Sequence, residues 1–303
     1  MSPSLPHIYL AGIKQRLRGG GIPMRRFAAW HKLCAAWLFR MGFNDDALPD
    51  GVEIDVVIPT VPKDLDLLNE VLAGVRRHVG HPIGTIYIVA PHSAATVEFC
   101  RAQGCVFADE RSLLGYGKEA VPYVALGQDR SGWLFQQLLK LAAAGLVQRS
   151  HYLVLDSDTI LVRRHVFTHG GRYFVLTSGE WHPPYLSAFR ALFGYPAPRS
   201  ISYTAHMMLF NRDYLRQMKA ELEGRHGVPW DQAYRSCASP DEPSCTSDYD
   251  NYAYWMWHRH PDVMQERPFY NTSLSRGLLR PLAELHECYG KDWKSLSFHS
   301  YRN

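Results

Sequence analysis

The feature that most constrains this chain is a run of four apolar residues, Tyr152-Leu153-Val154-Leu155, that ends in Asp156-Ser157-Asp158. A continuous apolar run of this length reads as a strand buried on both faces, and such strands belong to parallel sheets covered by helices. Open α/β sheets bind their ligands outside the carboxyl ends of the strands. If extended geometry persists through Asp158, the period of two turns both carboxylates to one side. Two like charges at a buried strand end are unfavourable unless a cation lies between them, and a divalent metal fits that role. Two further Asp-x-Asp pairs, Asp64/Asp66 and Asp248/Asp250, follow no such strand. One capping Asp beside a solvated one is the alternative, and it explains single carboxylates better than pairs.

The pattern around this strand is that of a doubly wound α/β domain. Val52 to Ile58 predicts a first strand ending at Pro59-Thr60, Leu65 to Val79 has helical spacing, and Ile83 to Ala90 predicts a second strand. Cys105 to Ala108 reads as a third strand, and Ser131 as the cap of a helix running to about Val147. Beyond Asp158 the pattern is mixed, with strands expected at Arg172 to Thr177 and Ile201 to Phe210 and helices at Asp213 to Glu223 and Asp248 to His258. Residues 224–247, rich in Gly, Pro, Ser and Asp, read as one long loop.

Charge is distributed unevenly. Residues 1–43 carry seven Lys/Arg and no Asp/Glu, which leaves 26 basic against 29 acidic residues in the remainder, so no nucleic-acid partner is expected. Within that segment Phe27, Trp30, Cys34, Trp37, Leu38 and Met41 recur at spacings of three and four, with Arg25, Arg26, Lys32 and Arg40 opposite. A basic amphipathic helix over residues 23–43 is predicted; it either lies on an anionic membrane surface or packs on the domain. No apolar run approaches the roughly 18 residues of a membrane span. The expected location is cytoplasmic, with peripheral contact at the inner face of the membrane as one use of the helix. The six cysteines are dispersed and form no zinc-ribbon spacing, so they are expected as reduced thiols.

A strand ending in Ile58-Pro59-Thr60, a second strand Ile86 to Ala90 and a central Leu155-Asp156-Ser157-Asp158-Thr159 resemble the GT-A nucleotide-sugar glycosyltransferases, over roughly residues 52–301. Within them, Trp133 to Lys140, Ala205-His206-Met207-Met208, Ser247-Asp248-Tyr249-Asp250 and Phe298-His299-Ser300-Tyr301 are similar to a poorly characterised bacterial group associated with capsule and envelope polysaccharides. The resemblance implies a GT-A fold over residues 51–303, nucleotide-binding over 51–160 and acceptor-binding over 161–303, behind an N-terminal helical segment at 1–50. It implies that Asp156 meets ribose or a metal-bound water, that Asp158 ligates Mn²⁺ or Mg²⁺, and that His299 adds a ligand. It places the base and ribose at Pro59, Thr60 and Val61, with Lys63 close enough to help with charge. The donor would be a nucleotide sugar, UDP-linked as first candidate, and the acceptor a glycan or a lipid-linked glycan.

Three other groups are singled out, each with a plainer reading. Gln136, Gln137 and Lys140 form a polar stripe on an apolar helix, which suits donor contacts or a solvated outer face. Asp248 is the candidate catalytic base, with Asp250 next, although Ser247 can cap a helix there and both acids favour its dipole. His206 would contact donor or acceptor, or be a satisfied core histidine. Two other enzyme classes compete. A haloacid-dehalogenase-like phosphatase would use Asp156 and Asp158 as nucleophile and acid, but needs a later acidic pair. A sugar-1-phosphate nucleotidyltransferase would need a glycine-rich loop where Pro59-Thr60-Val61-Pro62-Lys63 stands. A non-enzymatic binding module is the remaining class.

Overall fold

Alternate residues of the central strands divide between two hydrophobic cores, as the period of two requires for a sheet covered on both faces. Ile54, Val56 and Ile58 of β1 (Ile54–Pro59) join one core, and Val57 joins the other. A computed structural model describes residues 48–299 except Trp181 and Ser200. The basic helix expected at 23–43 lies outside them. After β1 a 3-10 turn leads into α1 (Leu65–His78), which covers one face and runs back to β2 (Ile83–Ala90). Then come α2 (Ala94–Gln103), β3 (Val106–Asp109), α3 (Glu110–Leu114) and a small hairpin, β4 (Val124–Ala125) with β5 (Gln128–Asp129). On the opposite face α4 (Ser131–Ala142) precedes the central strand β6 (His151–Leu155).

The second half begins with β7 (Thr159–Leu161), β8 (Thr168–His169) and β9 (Arg172–Thr177), followed by α5 (Pro183–Phe193) and β10 (Met207–Asn211). Helices α6 (Arg212–His226), α7 (Trp230–Arg235) and α8 (Asp248–Arg259) come next. The chain closes with β11 (Met264–Pro268), β12 (Asn271–Ser273), α9 (Leu282–Tyr289) and β13 (Ser295–Ser297). The main sheet has the order β10-β6-β1-β2-β3, parallel except for β10 at its edge. Smaller sheets, β11-β9-β8 and β12-β13-β7, flank it. The expected α/β architecture, a mostly parallel sheet with flanking helices, is present.

One buried acid fixes how the strands meet. Asp55, inside β1 and inaccessible to solvent, accepts from the backbone N–H of Thr85 (2.8 Å), Gln148 (2.7 Å) and Arg149 (3.0 Å). A Cβ on Gly84 would stand 2.6 Å from the Asp55 Oδ1, so only glycine allows that approach.

Several expectations are corrected. Ser131 does not cap α4: it is the first helical residue, its hydroxyl accepts from Tyr123 N–H (3.0 Å), and Arg130 is the cap position. The strand expected from Ile201 shortens to Met207–Asn211, because His206 adopts φ +56°, which breaks extended geometry. The loop at 224–247 contains α7. Helix α2 was not foreseen; it buries only Thr96 and Cys100, too few residues for an amphipathic pattern, and is bounded instead by Ser93 accepting from Thr96 N–H (3.1 Å) and by Gly104 at φ +62°. The five described cysteines are free, as expected. No helix among the described residues is long and apolar enough to cross a membrane.

Candidate functional site

The carboxyl ends of β1 and β6 and the amino end of β10 fall on one edge of the main sheet, since β10 runs antiparallel with Met207 opposite Leu155. His206 therefore sits beside Asp156, and the Asp156 N–H donates to the His206 carbonyl (2.9 Å). Extended geometry ends at Leu155. Thr159 N–H donates to the Asp156 carbonyl (3.0 Å), so Asp156-Ser157-Asp158 is a turn and not a strand continuation. This corrects the expectation that the strand period aims both carboxylates alike, and each acid finds its own partners.

Asp156 is held from three directions. Its Oδ1 lies 2.7 Å from Lys140 Nζ and accepts from the Tyr249 hydroxyl (3.1 Å), and its Oδ2 lies 3.2 Å from His206 Nδ1. The cation expected between the two acids is thus already present in the chain for Asp156, and it is Lys140. Lys140 comes from α4, is 2% exposed, stands 3.8 Å from Asp248 Oδ2 and lies over the Tyr249 ring. Burial alone would discharge its ammonium, but Asp156 and Asp248 outweigh burial and hold its pKa above the usual value. Burial likewise disfavours the Asp156 carboxylate, yet Lys140 and His206 outweigh it and hold the pKa well below the usual range.

Asp158 faces the other way. Its Oδ2 is 2.9 Å from His299 Nδ1, and its carbonyl accepts from Phe298 N–H (2.8 Å). Strand β13 brings His299 there by pairing antiparallel with β7, Ser297 opposite Thr159. The rings of His206 and His299 are 5.0 Å apart, so both acid–imidazole pairs share one locality. His206 Nε2 is buried without a hydrogen bond and lies 3.8 Å from Glu180 Oε1. Burial lowers the His206 pKa, but Asp156 and Glu180 outweigh it and the net direction is upward.

The polar stripe on α4 is split by the structure. Gln137 and Lys140 are buried, and Gln137 Oε1 accepts from Asp248 N–H (3.0 Å), satisfying a free donor at the start of α8. Gln136, on the same helix, is half-buried. Asp248 and Asp250 are each only 1% exposed. Burial raises the Asp248 pKa to about 6, against the pull of Lys140, and raises that of Asp250 to about 7. Asp250 Oδ1 accepts from Tyr203 N–H, and Asp250 N–H donates to Ser247 Oγ (3.2 Å), the cap of α8. A base must touch the acceptor hydroxyl. Neither carboxyl opens to solvent in this structure, so a base at either position requires the residues that cover it to move when the acceptor binds.

Pro59 and Thr60 are buried at the end of β1, Thr60 N–H donating to Val89 O (2.8 Å), whereas Val61 and Lys63 are exposed. Asp64, set aside in the sequence as part of an isolated Asp-x-Asp, is buried beneath the site. It accepts from Ser157 Oγ (3.3 Å) and pairs with Arg276. Nothing in the sequence marks Arg276. Tyr249 had a signal, lying between Asp248 and Asp250, but its hydroxyl contact crosses 93 residues of chain.

Among the described residues no group of three or more His, Cys, Asp or Glu side chains could hold a metal ion unaided. Asp158 and His299 stand close enough to supply two ligands to one ion. Carboxylate with imidazole is compatible with Mn²⁺ or Mg²⁺ where substrate phosphates complete the shell.

Comparison with solved structures returns loose likenesses. Mouse xyloside xylosyltransferase 1 in its apo form is 14% identical at a TM-score of 0.45, over 83% of this chain and 99% of that one. The WbbM bifunctional glycosyltransferase is 11% identical at 0.49, over 86% of this chain but 48% of its own length. Galactosyltransferase LgtC with donor and acceptor sugar analogues is 12% identical at 0.44, over 81% and 87%. Likenesses this loose carry no conclusion about the site. No curated protein matches the sequence. The sequence does match a family model over residues 53–280, a span that takes in β1, the Asp156-Ser157-Asp158 turn, Lys140, His206 and Arg276. The chain belongs to that family, DUF6492, a family of unknown function.

Proposed function

We propose that this protein is a divalent-metal-dependent glycosyltransferase of the GT-A type, taking a nucleotide sugar, UDP-linked as first candidate, and passing the sugar to a glycan or lipid-linked acceptor of envelope polysaccharide synthesis. The observation that supports this most is the Asp158–His299 pair beside the Lys140–Asp156–His206 cluster at the carboxyl end of β6. Asp158 and His299 would hold Mn²⁺ or Mg²⁺ against the donor diphosphate. When bound, the cation offsets negative charge on the departing diphosphate without a proton. Asp156, fixed by Lys140, Tyr249 and His206, keeps one acceptor position on Oδ2 for a ribose hydroxyl, while Pro59, Thr60 and Val61 flank the base and Lys63 adds positive charge. His206 would contact donor or acceptor. Lys140 and Gln137 hold the α8 start against the site, and Asp248 and Asp250 act there by charge balance and by anchoring residues 202–204. Gln136 is the third member of the donor stripe. Residues 23–43 supply peripheral membrane contact if the acceptor is lipid-linked.

The test is thermal stability of the full chain against UDP-, GDP-, CMP- and TDP-sugars, each with Mn²⁺ and with chelator, because a ligand that binds the native state raises the melting temperature. A metal-dependent rise with one nucleotide family, absent in Asp158→Ala, supports the reading. No rise with any donor sinks it. The phosphatase alternative requires a second acidic pair at another strand end; the acids nearest Asp156, Asp248 and Asp250, stand instead in the first turn of α8 and are buried.

A further inference from the structure

Three separate stretches of chain must hold still for Asp158 and His299 to stay together: the loop after β1, the Asp156-Ser157-Asp158 turn, and the segment after β13. One side chain touches two of them and reaches the third through Asp64. Arg276 opens a 3-10 turn after β12, with its side chain 20% exposed. Its Nη2 pairs with Asp64 Oδ1 and its Nη1 donates to the Lys63 carbonyl (3.2 Å), which ties down the loop after β1. Its Nε donates to the Phe298 carbonyl (3.3 Å), immediately before His299. The other oxygen of Asp64 accepts from Ser157 Oγ, between the two acids of the turn. Phe298 N–H then donates to Asp158 O, so Arg276, Asp64, Ser157, Asp158 and Phe298 form a closed ring of polar contacts and chain.

A planar guanidinium with donors on three nitrogens can serve three directions at once; an ammonium on a flexible stem cannot hold the same fork. Asp64 is 7% exposed, so its carboxylate would be costly to keep there without that partner. None of these contacts reaches Asp158 or His299 side-chain atoms directly. From this we infer that Arg276 is a positioning residue: it locks the Ser157 turn to the Phe298 segment and so sets the Asp158–His299 pair for a divalent cation. The inference rests on the metal–diphosphate reading above.

The experiment is Mn²⁺ binding by the full chain in the presence of UDP, followed by electron paramagnetic resonance of the free ion, for wild type, Asp158→Ala, Arg276→Lys, Arg276→Gln, Asp64→Asn and Ser157→Ala. Supporting contacts around metal ligands are typically worth roughly 10- to 100-fold in affinity. Both Arg276 variants and Asp64→Asn are expected to fall in that range, with Arg276→Lys no better than Arg276→Gln despite its retained charge. Metal-free melting of Arg276→Lys is expected to stay close to wild type. Ser157→Ala removes one hydroxyl and is expected to lose affinity severalfold; it supplies the readout if the Arg276 variants do not fold. Arg276→Lys binding Mn²⁺ within twofold of wild type overturns the inference, as does unchanged affinity in Ser157→Ala when that variant supplies the readout. If wild type binds no tighter than Asp158→Ala, the metal reading itself falls and this inference falls with it.

Discussion

Lys140 is the residue whose burial matters most, because an ammonium 2% exposed persists only while Asp156 and Asp248 face it. Lys140→Met leaves both carboxylates without their cation, and is expected to cost about 3–5 kcal/mol in chemical denaturation. Asp156→Asn, which keeps the shape and removes one charge, should cost less, since Asp248 remains to pair with Lys140. For the reaction proposed here, Asp158→Ala and His299→Ala are expected to lower kcat/KM on the order of 10²-fold or more, by loss of charge stabilisation at the diphosphate. Asp248→Asn reports on the acid's role. Turnover within a few-fold of wild type fits charge balance through Lys140; a loss of several orders of magnitude would restore it as a base.

At the scale of elements, two short features carry measurable energies. Ser247 caps α8 by accepting from Asp250 N–H, so Ser247→Ala is expected to destabilise by about 1 kcal/mol, read as a shift in denaturation midpoint. The β4–β5 hairpin turns through Leu126 and Gly127, at φ +50° and φ +74°. Two positive φ values in a two-residue turn favour Asn-Gly, and a leucine there is held in the left-handed region against a cost of roughly 1–2 kcal/mol. Leu126→Asn should therefore raise stability, and since Leu126 is 65% exposed no core contact offsets the gain. These elements also mark what could be read from the sequence. The central strand and its acids were legible because four apolar residues in a row have few other uses. The direction each acid takes was not, because one hydrogen bond from Thr159 to Asp156 bends the turn out of the strand period. Lys140 was visible on a helical stripe, but its burial depends on Asp156 and Asp248 from other elements. Arg276 had no signal, and Asp64 showed only as half of an Asp-x-Asp pair, since their contact spans 212 residues.

For the molecule as a whole, the buried acids set the pH response. Asp250 has a folded-state pKa of about 7, above its unfolded value of about 3.9. The folded protein therefore binds this proton more tightly, and the stability it contributes is complete below about pH 4 and lost as pH rises through about 7. Melting temperature measured from pH 5 to 8 should decline more steeply in wild type than in Asp250→Asn, whose amide oxygen can still accept from Tyr203 N–H. The main sheet and the β12-β13-β7 sheet differ in strand length. The main sheet is built of strands up to eight residues long, whereas β13 is three residues held between β12 and β7. Yet Ser295, Leu296 and Ser297 are inaccessible to solvent, and Leu296 and Phe298 join the core that holds Ile58 and Leu155. Segments packed into a core open only with it. Heat that carries His299 away from Asp158 therefore has to open the core shared with the large sheet. A cation site built on that pair would fail at the main transition and not before it, so loss of ellipticity would date the end of the site's shelf life.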